Sequence, residues 1–462
     1  MATRPAKAIN IAVLGAGTVG SQVIRLIQER REDLQRRSGL LWNLTAVLVR
    51  DLDAERDYDV PASLLTTDID EALASADVVV ELIGGIEPAL DYVKRALKAG
   101  ACVVTGNKAL LAKHGPELFA LAAANQVELQ YEAAVAGAVP IVRALREGVA
   151  GDRVNRVLGI VNGTTNFILD RMSTTGAAYD EALAQAQALG YAEADPTADV
   201  DGLDAAAKCA LMASLAFGCR VLIDDVYTEG IRAITPVQIT RAREANMVIK
   251  LLAVAERRTT TTGEEGIDVR VHPALLPAGH PLASVSGAFN AIMLECEAAG
   301  ELMFFGQGAG GVPTASAVLS DLVATAARHG HGQHPPSESH YEQFPVLPPQ
   351  STRVCYQVSL LINAADVSLS DVVGEFAQHG ISIQCASQKQ VSIQCASQNQ
   401  VINAQPANPD LENTQVQSAE RASVVLITNP TPESDLREAL DALRSSPTGV
   451  QVESVIRVEG VA

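Results

Sequence analysis

The N-terminal run INIAVL-GAGTVG-SQVIRLIQER limits the fold more than any other part of this 462-residue chain. Residues 9–14 are short, apolar and β-branched, which reads as a buried strand. They pass into Gly15-Ala16-Gly17-Thr18-Val19-Gly20, after which residues 21–30 carry apolar side chains at helical spacing. Strand, G-x-G-x-x-G and helix in that order is the context a dinucleotide fingerprint requires; an ordinary glycine-rich turn is the plainer alternative. In the dinucleotide reading Gly15 permits the tight turn, Gly17 lets the backbone reach a pyrophosphate and Gly20 lets helix and strand pack closely. The helix-start amides of Thr18, Val19 and Gly20 then face the phosphates.

Further strands follow at residues 44–49, 77–83, 102–105 and 127–131, which argues for a parallel α/β sheet. Two of them end in small residues, Gly84-Gly85 and Gly106-Asn107, at the edge where such sheets bind ligands. After residues 44–49 stand Arg50 and then Asp51. A guanidinium suits a 2′-phosphate, so the expected cofactor is NADP, with NAD left open by Asp51. Lys108 is either a surface lysine at a helix start or a cation facing the nicotinamide or substrate.

The stretch GYAEADPTADVDGLDAAAK, residues 190–208, gathers Glu193, Asp195, Asp199, Asp201 and Asp204 and closes on Lys208. Pro196 and Gly202 break any continuous helix, so its first half is expected to be loop. From Leu203 the run LDAAAKCALMASLAF reads as a helix that is apolar nearly all round and therefore buried. Asp204 and Lys208 lie four apart on one face. A surface ion pair is the bland reading; a lysine among carboxylates at the mouth of a buried helix is the sharper one, a candidate proton donor.

Charge and composition narrow the partners. A net charge of −19 argues against nucleic acid and anionic membrane surfaces. Seven cysteines without a C-x-x-C pair read as reduced thiols, and the chain shows no signal region and no membrane-length apolar run, so a cytoplasmic protein is expected.

Later segments divide the chain. Residues 132–140 (EAAVAGAVP) read as a buried loop. A second domain begins with a strand at 152–160 and Asn162-Gly163-Thr164-Thr165-Asn166 at a capped helix start. Residues 242–258 read as a long helix, 267–271 and 291–297 as strands. Residues 305–311 form a second glycine-rich loop before a helix at 313–327, either a tight interdomain turn or a loop whose backbone closely approaches a ligand. Residues 329–350 are rich in His, Pro and Ser and read as a linker; four of the eight histidines fall there without zinc-like spacing. From residue 354 the order strand, helix, strand, strand, helix, strand is ferredoxin-like.

These motifs together resemble the homoserine dehydrogenase family. The resemblance is carried by Ala186, Gly190, Asp195-Pro196, Asp199, Gly202, Asp204 and Lys208, by Thr105, Asn107 and Lys108, by EAAVAGAVP and NGTTN, and by the two glycine loops. It implies an α/β protein of three parts. These are a Rossmann-type NAD(P)-binding domain (1–150), an α+β catalytic and dimerisation domain (151–328) and, after the linker, a regulatory ACT-like domain (351–462). It further implies reversible NAD(P)H-dependent reduction of L-aspartate-4-semialdehyde to L-homoserine, in threonine, methionine and isoleucine biosynthesis. Lys208 is then the proton donor and Lys108 the second cation, with Glu193, Asp199 and Asp204 on the substrate side. Gly15, Gly17, Thr18, Val19, Gly20, Arg50, Gly84, Thr105, Lys108, Gly190 and Gly310 fall to the cofactor. A monovalent cation, usually sodium, is implied at Glu132, Val135, Gly137 and Val139, and a homodimer or homotetramer with threonine as effector.

Two departures fall in the C-terminal domain. Asp366-Val-Ser-Leu-Ser lacks the glycine usual before the first helix, and ISIQCASQKQ (381–390) is followed by its near copy VSIQCASQNQ (391–400). Both lie where an effector pocket would form. The competing enzyme readings are other amino-acid or semialdehyde dehydrogenases, including those with a cysteine nucleophile. A nucleotide-sensing regulator without catalysis is the reading from another class.

Overall fold

Valine-rich strands buried on both faces build the first sheet, as expected where helices cover each side. The computed structural model describes residues 7–259, 263–331, 344–348, 352–391, 421–446 and 449–460. It divides into two compact units, Met1–Pro349 and Gln350–Ala462.

In the first unit, β1 (Ala8–Leu14), β2 (Leu41–Leu48), β3 (Leu65–Thr66), β4 (Val78–Glu81), β5 (Cys102–Thr105) and β6 (Leu129–Gln130) pair in parallel in the order β3-β2-β1-β4-β5-β6. The strand order reverses between β1 and β4. Their carboxyl ends therefore flank the crevice where open α/β sheets bind ligands. Helix Thr18–Glu29 leaves β1 directly and buries Val23, Ile24, Leu26 and Ile27 against the sheet.

The second sheet comprises β7 (Val154–Ile160), β8 (Tyr227–Thr228), β9 (Met247–Thr259), β10 (Glu265–Pro277), β11 (Phe289–Cys296) and β12 (Gly300–Gln307). Its order is β12-β11-β7-β9-β10, with β8 beside β10. Helices Gly163–Thr175 and Leu203–Phe217 pack on it. The last helix, Gly311–His331, returns to the nucleotide sheet. A Cβ on Gly311 would stand 2.8 Å from the Thr18 carbonyl oxygen, and Arg328 donates to both carboxylate oxygens of Glu128 at 2.7 and 2.5 Å.

The largest difference from the sequence expectation lies at residues 242–258; in addition, residues 305–307 of the expected glycine-rich loop end β12, and residues 329–331 of the expected linker belong to helix Gly311–His331. The helix expected over 242–258 is a helix only at Pro236–Glu244, after which Asn246 turns the chain at φ +57° into the long strand β9. MVIKLLAVAE is apolar without alternation because β9 is buried between β7 and β10 and covered by a helix. Periodicity does not separate such a strand from a buried helix. Within the expected linker, Leu347 is buried and bonds the backbone of Ile267, whose own N–H reaches the Pro345 carbonyl. Most of that linker lies outside the described residues.

The second unit holds β13 (Arg353–Asn363), β14 (Ile383–Val391), β15 (Arg421–Thr428), β16 (Thr431–Pro432) and β17 (Gln451–Val458). The antiparallel order β17-β13-β15-β14, with helices Leu369–Gln378 and Glu433–Ser445, is the ferredoxin-like arrangement. Val358, Leu360, Val372, Phe376, Leu436 and Leu440 meet in its core. Ser368 and Asp371 cap the first helix reciprocally, so the loop without glycine is stitched by its own side chains. The first copy of the ten-residue repeat runs into β14; residues 392–400 of the second lie outside the described residues.

Candidate active site

Two helix starts bring ammonium groups to one carboxylate. Asn107 caps helix Lys108–Ala124 by accepting the Leu110 N–H at 3.1 Å. Gly202, at φ +85°, begins helix Leu203–Phe217, whose bounds are those read from the sequence. Lys108 Nζ bonds Asp204 Oδ1 and Lys208 Nζ bonds Asp204 Oδ2 at 2.8 Å. Asp204 and Lys208 are buried, while Lys108 is about half exposed toward the cleft. Burial would raise the Asp204 carboxyl, but the ammonium groups of Lys208 and Lys108 outweigh it and hold it well below the usual carboxylate range. The surface reading of this pair is thus set aside.

Around this triad lies a cavity of about 690 Å³. Glu193, Asp199, Asp204, Lys108 and Lys208 all line it, as do Gly190 and Gly310. Asn162 bridges two of the carboxylates, its amide donating to Asp199 at 2.7 Å and Asp204 at 2.9 Å. Lys208 also donates to the Val161 carbonyl at 2.7 Å. Of the remaining acidic residues, Asp195 accepts the Thr197 N–H and Asp201 pairs with Arg232 on the exposed side.

The fingerprint glycines Gly15, Gly17 and Gly20 form a separate edge. Helix Thr18–Glu29 begins at Gly17 without a side-chain cap, leaving its first N–H groups for an anion. Gly17 has open space where a Cβ would be, whereas a Cβ on Gly20 would stand 2.0 Å from the Gly15 carbonyl oxygen. Gly15 N–H bonds Leu48 at 2.9 Å, which sets the glycine turn beside the end of β2 and exposed Arg50. Across the crevice, buried Glu81 accepts from Thr105 Oγ1 at 2.5 Å and from the Ile83 and Gly84 N–H groups, while Asn107 reaches Gly85 at 2.6 Å. These donors and turns fit a dinucleotide laid over the carboxyl edge of the sheet.

The turn after β6 packs on the second glycine loop. Ala138 N–H bonds Gln307, and a Cβ on Gly137 would stand 2.4 Å from the Gly308 carbonyl oxygen. The Glu132 carboxylate accepts the Val142 and Arg143 N–H groups at 2.8 and 2.9 Å, and burial raises its pKa. Val139's carbonyl accepts the Ile141 N–H at 2.9 Å. A buried carboxylate in a turn that also carries the Val135, Gly137 and Val139 carbonyls offers the oxygen chemistry a hard cation takes, and buried Asp321 accepts the Glu132 N–H at 2.8 Å beside it. Among the described residues no group of three or more His, Cys, Asp or Glu side chains could hold a metal ion, so a cation here would depend on those carbonyls.

Single polar residues inside apolar strands gave no sequence signal. Glu81, Asn290 and Lys250 are the chief examples, all buried. Lys250, on β9, donates to Asn166 Oδ1 at 3.0 Å and to the Val285 carbonyl at 2.5 Å. Asn166 in turn holds Gly287 at 2.9 Å, so the second asparagine of NGTTN ties down the loop leading to Ala288 and Phe289 at the cavity wall. Burial pushes the Lys250 ammonium down to about 8. Below pH 8 the charge is present in both folded and unfolded chains and its burial penalty is complete. Between pH 8 and about 10.4 the folded protein binds fewer protons, so stability rises with pH. Wild type is therefore expected to gain up to about 3 kcal/mol over Lys250→Met across that window. Urea unfolding of both at pH 7.5 and 10 checks it; a constant difference would show that Lys250 is not depressed.

A parallel sheet with a glycine turn at its crossover, beside a cleft in which two lysines share one buried carboxylate, defines an NAD(P)-dependent oxidoreductase. Residues 15–132 match the family model of the homoserine dehydrogenase NAD binding domain, and residues 140–323 that of homoserine dehydrogenase. The chain is 46% identical over 458 residues to homoserine dehydrogenase of Mycobacterium tuberculosis, covering 98% of each. It is 44% identical over 457 residues to that of Corynebacterium glutamicum, covering 98% of this chain and 96% of that one. A crystal structure of a homoserine dehydrogenase from Thiobacillus denitrificans superposes with TM-score 0.83 at 36% identity over 99% of both chains. A hyperthermophilic archaeal homoserine dehydrogenase in complex with NADPH matches 72% of this chain and 99% of that one, with TM-score 0.59 and 27% identity. This chain belongs to the homoserine dehydrogenase family. It is an NAD(P)-dependent oxidoreductase of a CH–OH group, interconverting L-aspartate-4-semialdehyde and L-homoserine. Cys209 cannot serve the cysteine-nucleophile alternative: it is fully buried, which pushes its thiol up to about 12.

Proposed function

We propose that Lys208 protonates the oxygen of the semialdehyde as it becomes an alkoxide, with Lys108 as the second positive charge. The nicotinamide, when bound, supplies the hydride to the aldehyde carbon. Lys208 then gives one N–H proton to the oxygen and becomes a neutral amine, while Lys108 stabilises the developing charge. Asp204 aims both ammonium groups, Asp199 orients Asn162, and Glu193 at the cavity rim takes the substrate ammonium. The observation that carries this reading is the sharing of the Asp204 carboxylate by Lys108 and Lys208 inside the cavity.

Gly15, Gly17, Thr18, Val19, Gly20, Gly84, Thr105, Gly190 and Gly310 are assigned to the nucleotide, and Arg50 to a 2′-phosphate, making NADP the preferred cofactor. Arg50→Ala is expected to weaken NADPH by about 1.5–3 kcal/mol, roughly 10- to 150-fold, and to leave NADH nearly unchanged. Fluorescence titration with both cofactors checks this, and equal losses would make Arg50 structural. Glu132 with the carbonyls of Val135, Gly137 and Val139 is assigned a monovalent cation, sodium first, which would offset the burial of that carboxylate.

We read the first unit as a nucleotide domain (1–150) and a catalytic domain (151–328), joined by 329–350 to an ACT-like domain (351–462). The location is cytoplasmic; among the described residues no helix is long and apolar enough to cross a membrane. A homodimer or homotetramer is supported by the edge strand β12, which exposes Met303 and Phe305, the latter stacked on exposed Phe289 with ring centroids 5.0 Å apart. Threonine is the effector to test, with weak inhibition expected because the Asp366–Ser368 loop lacks its glycine and is held by its own cap. One steady-state series decides among these assignments: semialdehyde reduction with NADPH or NADH, with sodium replaced by a tetraalkylammonium ion, and with added threonine. Equal use of both cofactors, no response to sodium, or strong sub-millimolar inhibition by threonine would each overturn its own assignment.

A further inference from the structure

Lys208 has two hydrogen-bond acceptors, Asp204 Oδ2 and the Val161 carbonyl, and the second is shared. Asn290 Nδ2 donates to the same carbonyl at 3.1 Å. The sharing follows from strand pairing, since Ala291 on β11 lies opposite Ile160 on β7, which sets Asn290 beside the residue that follows β7. Asn290 is wholly buried, and its Oδ1 has no hydrogen-bond partner among the described residues. Turning the amide over would aim that oxygen at the Val161 oxygen, acceptor against acceptor, so the orientation is dictated by Val161. Space for the amide comes from Gly308. A Cβ at that position would stand 2.2 Å from Asn290 Cγ and Nδ2 and 2.4 Å from Oδ1. Gly308 itself lines the cavity.

We propose that Asn290, seated over Gly308, is a positioning residue that fixes the Val161 carbonyl and through it the reach of Lys208 Nζ. The proposal rests on Lys208 as proton donor. Asn290 touches neither substrate nor cofactor in this assignment. Its removal leaves Lys208 paired with Asp204 but lets its second anchor drift, and small misplacements of a reacting group cost rate steeply.

The test is a mutant cycle read as kcat for semialdehyde reduction, KM for NADPH and melting temperature. Asn290→Ala is expected to lower kcat about tenfold with KM for NADPH unchanged. Gly308→Ala, which crowds the amide off its seat, is expected to do the same. Combining the two should cost no more kcat than Asn290→Ala alone, because the clash is gone. In a Lys208→Ala background Asn290→Ala should cost nothing further, which no general loss of structure would reproduce. An unchanged kcat in Asn290→Ala, a multiplied loss in either double variant, or a loss that follows melting temperature would overturn the proposal. Should Asn290→Ala fail to fold, Gly308→Ala with and without Lys208→Ala decides alone. If Lys208→Ala by itself keeps normal turnover, the proton-donor reading fails; if it abolishes turnover while Asn290→Ala is silent, only the positioning role fails.

Discussion

Replacing Lys208 by alanine is expected to cut turnover in the semialdehyde-reducing direction by roughly a hundredfold or more, the usual contribution of a positioned acid. The magnitude follows from what remains. Asp204 keeps its bond to Lys108, so no buried carboxylate is orphaned and the fold should lose little. The Val161 carbonyl loses one donor but keeps Asn290. Only the group that hands a proton to the nascent alkoxide is gone, and Lys108 can stabilise charge without standing where Lys208 stands. NADPH binding should change little, because Lys208 lies among Asp204, Asn162 and Val161 and not on the glycine edge. Single-turnover reduction with saturating NADPH, beside a cofactor titration, separates the two. Near-normal turnover in the variant would remove Lys208 from the proton step.

The parts of the fold that the sequence made legible are those where one backbone rule acts alone. Gly202 at φ +85° and Gly218 at φ +62° bracket an Ala/Leu run, so helix Leu203–Phe217 could be bounded to the residue. β5 was equally plain, being the short run CVVT between turn residues. The strand β9 was not, because a strand covered on both faces loses the alternation that marks strands and resembles a buried helix. The site shows the same division. Asp204 and Lys208 are four apart on one helix and their meeting is local, whereas Lys108 joins them across 96 residues. Neither Asn162 as the bridge between two carboxylates nor Asn290 behind Lys208 could be assigned, since their roles exist only once β7, β11 and the helix start converge. Glu81 had no signal at all: inside the expected strand 77–83 a lone carboxylate has no evident role, and only the structure ends β4 at Glu81 and brings the Thr105 hydroxyl to it.

The charge arithmetic around Asp204 leads to the second large effect. Asp204→Asn keeps the shape and one acceptor oxygen but removes the negative charge that two ammonium groups share. Lys208, with only 9% of its side chain exposed, would face Lys108 with no counter-ion. Removing one partner of a buried pair typically costs about 3–5 kcal/mol, and half-exposed Lys108 can swing into the cavity to escape part of that. Stability loss near the lower end of that range is therefore expected, together with a rate loss of at least roughly a hundredfold as the proton donor loses the charge that aims it. The pH dependence gives a signature that simple misfolding lacks. Asp204's carboxyl is held below its unfolded value by the two lysines. Its stabilising contribution is thus complete above about pH 4 and is lost as pH falls below that toward the folded value. The stability gap between wild type and Asp204→Asn should be constant from pH 5 to 8 and should shrink in acid. Chemical denaturation at pH 7, 5 and 3.5 measures it. A gap that stays the same at pH 3.5 would mean that Asp204 is not the shared counter-ion, and the lysine pair would need another account.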